Sequence, residues 1–153
     1  MRAYRTSRLS KLTVPLALGF LLIVGALFIA NQQGEPEVLA GPASVIDGDT
    51  LRVAGQKVRL QGLAAPEMDE PGGVEAKNAM IQIVERQQVS CELDGTTSYD
   101  RVVGICYVAG RDVAELLVTR GLARDCPRFS GGRYRDLETP TAQNLPLPGY
   151  CSR

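Results

Sequence analysis

The chain has no histidine among its 153 residues, which excludes a Ser-His-Asp triad, a Cys-His nucleophile and histidine-ligated metals. Any catalysis must use carboxylates, arginines, tyrosines or a hard metal ion. Asp47 and Asp49 lie within the segment V-I-D-G-D-T-L, and Arg59, Glu67 and Arg101 follow along the chain. A guanidinium stays charged and can bind two phosphate oxygens at once.

Each of these side chains also has a structural interpretation that the sequence leaves open. Aspartate is common in turns, so Asp47 and Asp49 could serve only a turn. Arg59 and Arg101 could be partners in surface ion pairs. Glu67 could cap the loop that follows it.

The elements that would position these residues are mainly strands. Alternating apolar residues predict three strands, a helical pattern follows, and two more strands and a second helix complete the series. The predicted strands cover residues 44–46, 51–53, 58–60, 89–93 and 101–108, and the predicted helices cover residues 74–88 and a segment after Asp112. Turns are predicted at Asp47-Gly48, Gly55-Gln56 and Asp94-Gly95. This order predicts a mainly β fold (all-β or α+β), a five-stranded OB-type β-barrel with two to three helices.

The N-terminal part differs in composition from the rest of the chain. Residues 1–11 carry four basic side chains, and residues 12–30 form an uncharged, almost wholly apolar run. At about 1.5 Å per residue this run would span a bilayer core. We expect a cytoplasmic basic head, a transmembrane helix that is an anchor or a signal peptide, a tether at residues 31–42 and an exported domain at residues 43–153. The expected location is the bacterial inner membrane facing the periplasm, or outside the cell if the leader is cleaved.

Charge in the exported part is unevenly distributed. The chain has 17 basic and 17 acidic residues. No acidic residue lies in the first 30 positions, so residues 31–153 have a net charge of −4. This balance argues against strong non-specific binding of nucleic acid. A local basic cluster, which could also be an ordinary solvated face, is formed by Arg120, Arg124, Arg128, Arg133 and Arg135.

The four cysteines, Cys91, Cys106, Cys126 and Cys151, predict two disulfides in an oxidising compartment. The absence of C-x-x-C pairs and of histidine argues against zinc. Four cysteines allow three pairings. Strand alternation places Cys91 and Cys106 inward on consecutive strands and favours that pair, which would leave Cys126 and Cys151 to hold the C-terminal tail.

Four segments resemble the staphylococcal nuclease family in order and spacing. They are D-G-D-T, then R-L-Q-G-L-A-A-P-E, then Y-D-R, then R-G-L-A, and the match around them covers about residues 43–130. The resemblance implies calcium-assisted hydrolysis of phosphodiester bonds in DNA or RNA. It implies that Arg59 and Arg101 stabilise the charge on phosphorus and that Glu67 is the general base.

The same resemblance implies a calcium site. Asp49 corresponds to a direct ligand, Asp47 to an outer carboxylate, and Ala65 to a residue that offers its backbone carbonyl. Ala64 departs from the family pattern, which has aspartate there as the second side-chain ligand. Since calcium affinity depends on the number of charged ligands, we expect Ca²⁺ binding to be weak or lost.

Near the C-terminus the resemblance places Phe129 against a nucleotide, with Arg128 and Tyr134 nearby in sequence. Aromatic side chains and arginines are the usual contacts to single strands, although loop packing would also explain Phe129. Prolines in residues 139–153 exclude the long terminal helix of the family.

Two functions are favoured at this stage, and a third, an unrelated OB-fold oligosaccharide binder, would leave the motif spacing unexplained. One is a membrane-anchored nuclease that acts on single-stranded or flexible nucleic acid outside the cytoplasm. The alternative is a non-catalytic accessory or binding protein, because some members of this nuclease-like family are associated with succinoglycan-type exopolysaccharide production. Ala64 and the acidic balance favour the second function, and the retained Arg59, Glu67 and Arg101 favour the first.

Overall fold

The computed structural model describes residues 36–152. The predicted basic head, the predicted membrane segment at residues 12–30 and residues 31–35 of the predicted tether lie outside the described residues. Within the described part, no helix is long and apolar enough to cross a membrane.

Eight strands and four α-helices form the described domain, together with two 3₁₀ helices. The strands are β1 (Val38–Val45), β2 (Thr50–Val53), β3 (Gln56–Leu60), β4 (Leu63–Ala64), β5 (Gln88–Ser98), β6 (Arg101–Val108), β7 (Arg111–Asp112) and β8 (Arg124–Asp125). The helices are α1 (Gly73–Val84), α2 (Val113–Thr119), α3 (Pro127–Ser130) and α4 (Pro140–Gln143), and the 3₁₀ helices are Arg135–Leu137 and Gly149–Cys151.

Five of the strands close into a barrel. Their order is β3-β2-β1-β5-β6, and a parallel pairing of β3 with β6 closes the sheet on itself. This closed five-stranded barrel with short helices confirms the OB-type expectation. The short strand β7 pairs with β6 at the edge of this sheet, and β4 pairs with β8 in a separate two-stranded sheet.

Three boundaries differ from the predicted ones. Strand β1 begins at Val38 and pairs with β5, so residues 38–42 belong to the sheet and not to the predicted tether. Helix α1 ends at Val84, and the left-handed backbone of Arg86 stops it before the predicted residue 88. Asp94-Gly95 is a register shift within β5, and the chain turns at Tyr99 instead.

The barrel interior explains the alternation of apolar residues. Leu51, Val53, Val58 and Leu60 are buried from β2 and β3, and helix α1 packs into the same apolar core. The apolar face of this helix is buried, namely Ala76, Met80, Ile83 and Val84. Full burial of an aliphatic side chain contributes about 1.5–3 kcal/mol.

Both disulfides have the favoured pairing. Cys91 and Cys106 are directly opposite each other on β5 and β6. Cys126 and Cys151 join the end of β8 to the last 3₁₀ helix across a sequence separation of 25 residues. Residues 139–152, which we call the C-terminal strap, are thereby fixed to the barrel.

Asp112 links helix α2 to the core, and we expect Asp112→Ala to lower the free energy of unfolding by about 2–3 kcal/mol. One carboxylate oxygen caps α2 by accepting from the amides of Ala114 and Glu115. The other accepts from the buried hydroxyl of Tyr134 at 2.9 Å. Urea unfolding of Asp112→Ala and Tyr134→Phe would separate the two contributions, and equal losses in both variants would show that the cap contributes nothing.

Candidate functional site

The loop between β1 and β2 positions the two aspartates. Asp47 accepts a hydrogen bond from the backbone amide of Asp49 at 3.0 Å, and the amide of Ile46 donates to the carbonyl of Thr50. Asp47 therefore stabilises the turn, as its structural interpretation required. The turn directs the carboxylate of Asp49 toward β3, and the side chain of Asp49 is only 10% exposed.

Arg59 and Asp49 form a buried ion pair. Thr50 is opposite Arg59 in the β2–β3 register, which places the guanidinium 2.6 Å from the Asp49 carboxylate. The guanidinium also donates to the carbonyl of Leu63 at 2.9 Å. Arg59 is 14% exposed, so it is fixed in orientation and is not a surface ion-pair partner.

Arg101 joins the same network through Thr50. Its guanidinium donates to the Thr50 hydroxyl at 3.1 Å, and that hydroxyl donates to Asp49 at 3.0 Å. Ser98 accepts from Arg101 through its carbonyl and its hydroxyl. The parallel β3–β6 pairing thus brings Arg59 and Arg101, 42 positions apart in the sequence, to the two ends of one chain of hydrogen bonds.

Glu67 is not part of this network. It is exposed in the loop between β4 and α1, and its backbone amide donates to Glu70 at 2.9 Å. Within residues 36–152, no hydrogen bond is formed to the Glu67 carboxylate. A general base in this position would have to be oriented by the substrate.

The calcium ligands suggested by the resemblance are only partly present. Asp49 supplies one buried carboxylate, which Arg59 already engages. Ala65 is half-buried beside the Asp47–Asp49 loop, and a β-carbon on Gly48 would collide with its side chain. Ala64 supplies no side-chain oxygen and is only 3% exposed. Among the described residues no three acidic, cysteine or histidine side chains are grouped as metal ligands, so the donors do not fit a tight calcium site.

The predicted nucleotide-contacting residues lie on α3. Phe129 is half exposed, and the guanidinium of Arg128 lies 5.5 Å from its ring centre. Tyr150 of the C-terminal strap, which the sequence did not indicate, lies 6.5 Å from the same ring. Tyr134 is buried and bonded to Asp112, so its place is in the core. Burial raises the pKa of Tyr134, and the Asp112 carboxylate adds to this effect.

Two further residues near Arg101 were not identified from the sequence. Thr50 connects Asp49 to Arg101, and its place in the D-G-D-T motif was the signal. Tyr99 is 94% exposed, with the Arg101 guanidinium 5.8 Å from its ring centre. It precedes Arg101 in the Y-D-R segment, where only the arginine was singled out.

Two cavities of the domain lie away from the arginine network. One, of about 330 Å³, is bordered by β7, α2 and the first 3₁₀ helix. Another, of about 350 Å³, lies beside β8 and the C-terminal strap. Arg59, Glu67 and Arg101 line neither of them. The arginine network is partly buried and lies outside both cavities.

Burial makes stability depend on the protonation of Asp49. Burial raises the pKa of Asp49 to about 7, with Arg59 opposing the shift and Asp47 adding to it. The folded protein therefore holds a proton that the unfolded chain releases above about pH 4. The stabilisation is present below that pH and is lost as the pH rises toward 7.

In urea unfolding we expect this loss of stability with rising pH to be smaller in Asp49→Asn than in the parent, while the exposed Asp136→Asn follows the parent. Parallel profiles for Asp49→Asn and the parent would contradict this expectation.

Comparison with known proteins supports the resemblance found in the sequence. A family model described as "Staphylococcal nuclease homologue" matches residues 57–142. The "Succinoglycan biosynthesis protein ExoI" of Rhizobium meliloti (strain 1021) is 34% identical over 134 residues, which cover 80% of this chain and 70% of that protein. The "Probable staphylococcal-like nuclease CAN1" of Oryza sativa subsp. japonica is 32% identical over 76 residues, 50% of this chain and 23% of the plant protein.

Proposed function

This chain belongs to the staphylococcal nuclease family, and on that premise we propose that it is a non-catalytic binding protein of the nuclease fold. Its ligand is a phosphodiester group, as found in single-stranded or flexible nucleic acid. The observation that carries the proposal is an intact Arg59–Asp49–Thr50–Arg101 network. Arg59 also contacts the carbonyl of Leu63, and the next residue, Ala64, offers no side-chain oxygen to a metal.

The arginines supply what a phosphodiester requires. Arg59 is held by Asp49 and by the Leu63 carbonyl, and Arg101 is held by Thr50 and Ser98. Donors that are fixed before binding lose little conformational entropy when the ligand arrives. Because residues 31–153 have a net negative charge, the affinity for the phosphodiester depends on the local contacts of these two guanidinium groups.

An accessory role outside the cytoplasm is part of this proposal. A relative that carries the name of a succinoglycan biosynthesis protein shares 34% identity with the chain. We propose the same setting here, with residues 12–30 anchoring the domain on the outer face of the inner membrane or directing its secretion. In this setting the domain would bind a phosphodiester-bearing polymer beside the machinery of polysaccharide production.

Fluorescence anisotropy with a labelled single-stranded oligothymidine tests the binding function. We expect saturable binding by the oxidised full-length chain that is equal in calcium and in chelator. Two phosphate contacts predict that log K falls with log salt with a slope of about −1.4. Unsaturable binding, or an equal affinity for Arg101→Ala, would contradict the proposal.

Hydrolysis is the second candidate function, and the retention of Glu67 together with both arginines favours it. The same incubation, analysed for oligonucleotide length, distinguishes the two functions. Cleavage that requires calcium and disappears in Glu67→Gln would establish a nuclease and replace the binding proposal. Binding without cleavage in parent and Glu67→Gln alike is the result we expect.

A further inference from the structure

The two places where the sequence departs from the family pattern, Ala64 and the C-terminal strap, are in contact. Ala64 lies in a small apolar cluster with Cys126 and Cys151, and Leu147 of the strap packs against this cluster. Ala64, Cys126 and Cys151 are each buried. The position that lacks a carboxylate is therefore covered by the strap and its disulfide.

The strap is fastened on both sides of this contact. The carbonyl of Leu145 accepts from the guanidinium of Arg124 at 3.1 Å, and Arg124 is the partner of Ala64 in the β4–β8 pair. The side chain of Leu145 lies 3.7 Å from where a β-carbon on Gly72 would stand, just before helix α1. The Cys126–Cys151 bond completes the attachment.

A carboxylate at position 64 would be incompatible with this packing. Its apolar neighbours would be the Cys126–Cys151 disulfide and the Leu147 side chain, neither of which donates a hydrogen bond. The backbone of Ala64 is already paired with Arg124, whose guanidinium is engaged by Glu138 and the Leu145 carbonyl. A buried charge without a partner is strongly destabilising, so the carboxylate and the closed strap exclude each other.

We infer that the disulfide-closed strap keeps a calcium ligand out of position 64, so that alanine is the residue the strap requires. The missing calcium ligand at position 64 and the Cys126–Cys151 disulfide are then two parts of the same structural change. The Cys126–Cys151 bond controls whether a carboxylate at position 64 could reach a cation. This inference rests on packing and is independent of the proposed function, since its test measures calcium binding and unfolding rather than nucleic acid.

The test installs the aspartate with the strap closed and with the strap released. Full-length Ala64→Asp is compared with the triple variant Ala64→Asp/Cys126→Ser/Cys151→Ser by calorimetric titration with calcium chloride. With the disulfide intact, we expect no gain in calcium affinity over the parent. With the strap released, we expect an affinity at least about tenfold higher than that of Ala64→Asp, since a second direct carboxylate is added. Tenfold tighter binding by Ala64→Asp with its disulfide intact, or no gain in the triple variant, would overturn the inference.

Thermal unfolding gives a readout even if Ala64→Asp folds poorly. Ala64→Asn adds a side chain of the same size without charge. We expect it to lower the unfolding midpoint by about 5 °C or more in the parent. We expect a much smaller effect in the Cys126→Ser/Cys151→Ser background. The other disulfide is the matched control, because Cys91→Ala/Cys106→Ala leaves the strap closed and should leave the effect of Ala64→Asn unchanged. Equal effects in the parent and both backgrounds would also overturn the inference.

Discussion

Replacing Arg59 by alanine is expected to weaken oligothymidine binding about 30-fold and to lower the free energy of unfolding by about 3–5 kcal/mol. The binding loss follows from removing one of two fixed guanidinium groups. The stability loss is expected above about pH 7, where Asp49 is ionised, because its carboxylate, 2.6 Å from Arg59, would lose its cation. Anisotropy and urea unfolding measure the two effects.

The matched control for Arg59 is Arg52 on the neighbouring strand. Its exposed guanidinium donates only to the Gly55 carbonyl at 3.1 Å, so Arg52→Ala should change stability by less than about 0.5 kcal/mol. The double variant Asp49→Asn/Arg59→Ala should regain part of the stability, because the unpaired charge is gone, but none of the binding. Equal losses for Arg52→Ala and Arg59→Ala would refute the assigned role of the buried pair.

The second large effect is expected at Gly62, where Gly62→Ala should lower the free energy of unfolding by about 3–4 kcal/mol. Gly62 has a left-handed backbone, with φ of 70°. A β-carbon there would lie 2.6 Å from the Cα of Ser130. The carbonyl of Gly62 also accepts from the amide of Cys126, so the substitution would push α3 from the barrel and displace Phe129.

Gly55 separates the backbone effect from the collision. Its φ of 88° is also left-handed, but a β-carbon there meets nothing within 4 Å. Gly55→Ala should therefore cost only about 1–2 kcal/mol and leave oligothymidine binding unchanged. If both glycine variants lost the same stability in urea unfolding, the contact between Gly62 and α3 would be unimportant.

The barrel could be predicted because its signals are local. Leu51, Val53, Val58 and Leu60 alternate with polar residues, and each faces the interior. Signals that depend on distant partners were harder to interpret. Strand β1 begins at Val38 because β5 pairs with residues 38–42, and nothing near Val38 in the sequence indicates that pairing.

The candidate site was predictable in its residues but not in its surroundings. Motif spacing selected Asp49, Arg59 and Arg101, and the structure joins them through Thr50. The sequence also marked Ala64 as the missing ligand. It did not reveal that Cys151 and Leu147, more than 80 positions further along the chain, cover Ala64. Contacts of that separation are set by tertiary packing, which local patterns do not encode.

The parallel pairing that closes the barrel also bears on when the protein becomes able to bind. Strands β3 and β6 are brought together across the whole of α1 and β5, and contacts of such long sequence separation form late because chain entropy opposes them. One arginine of the network lies on each of these strands. In a nascent or partly folded chain Arg59 and Arg101 would not be brought together, and the chain would not bind the ligand. Ligand binding would thus report completed folding, and unfolded molecules would not compete for the ligand.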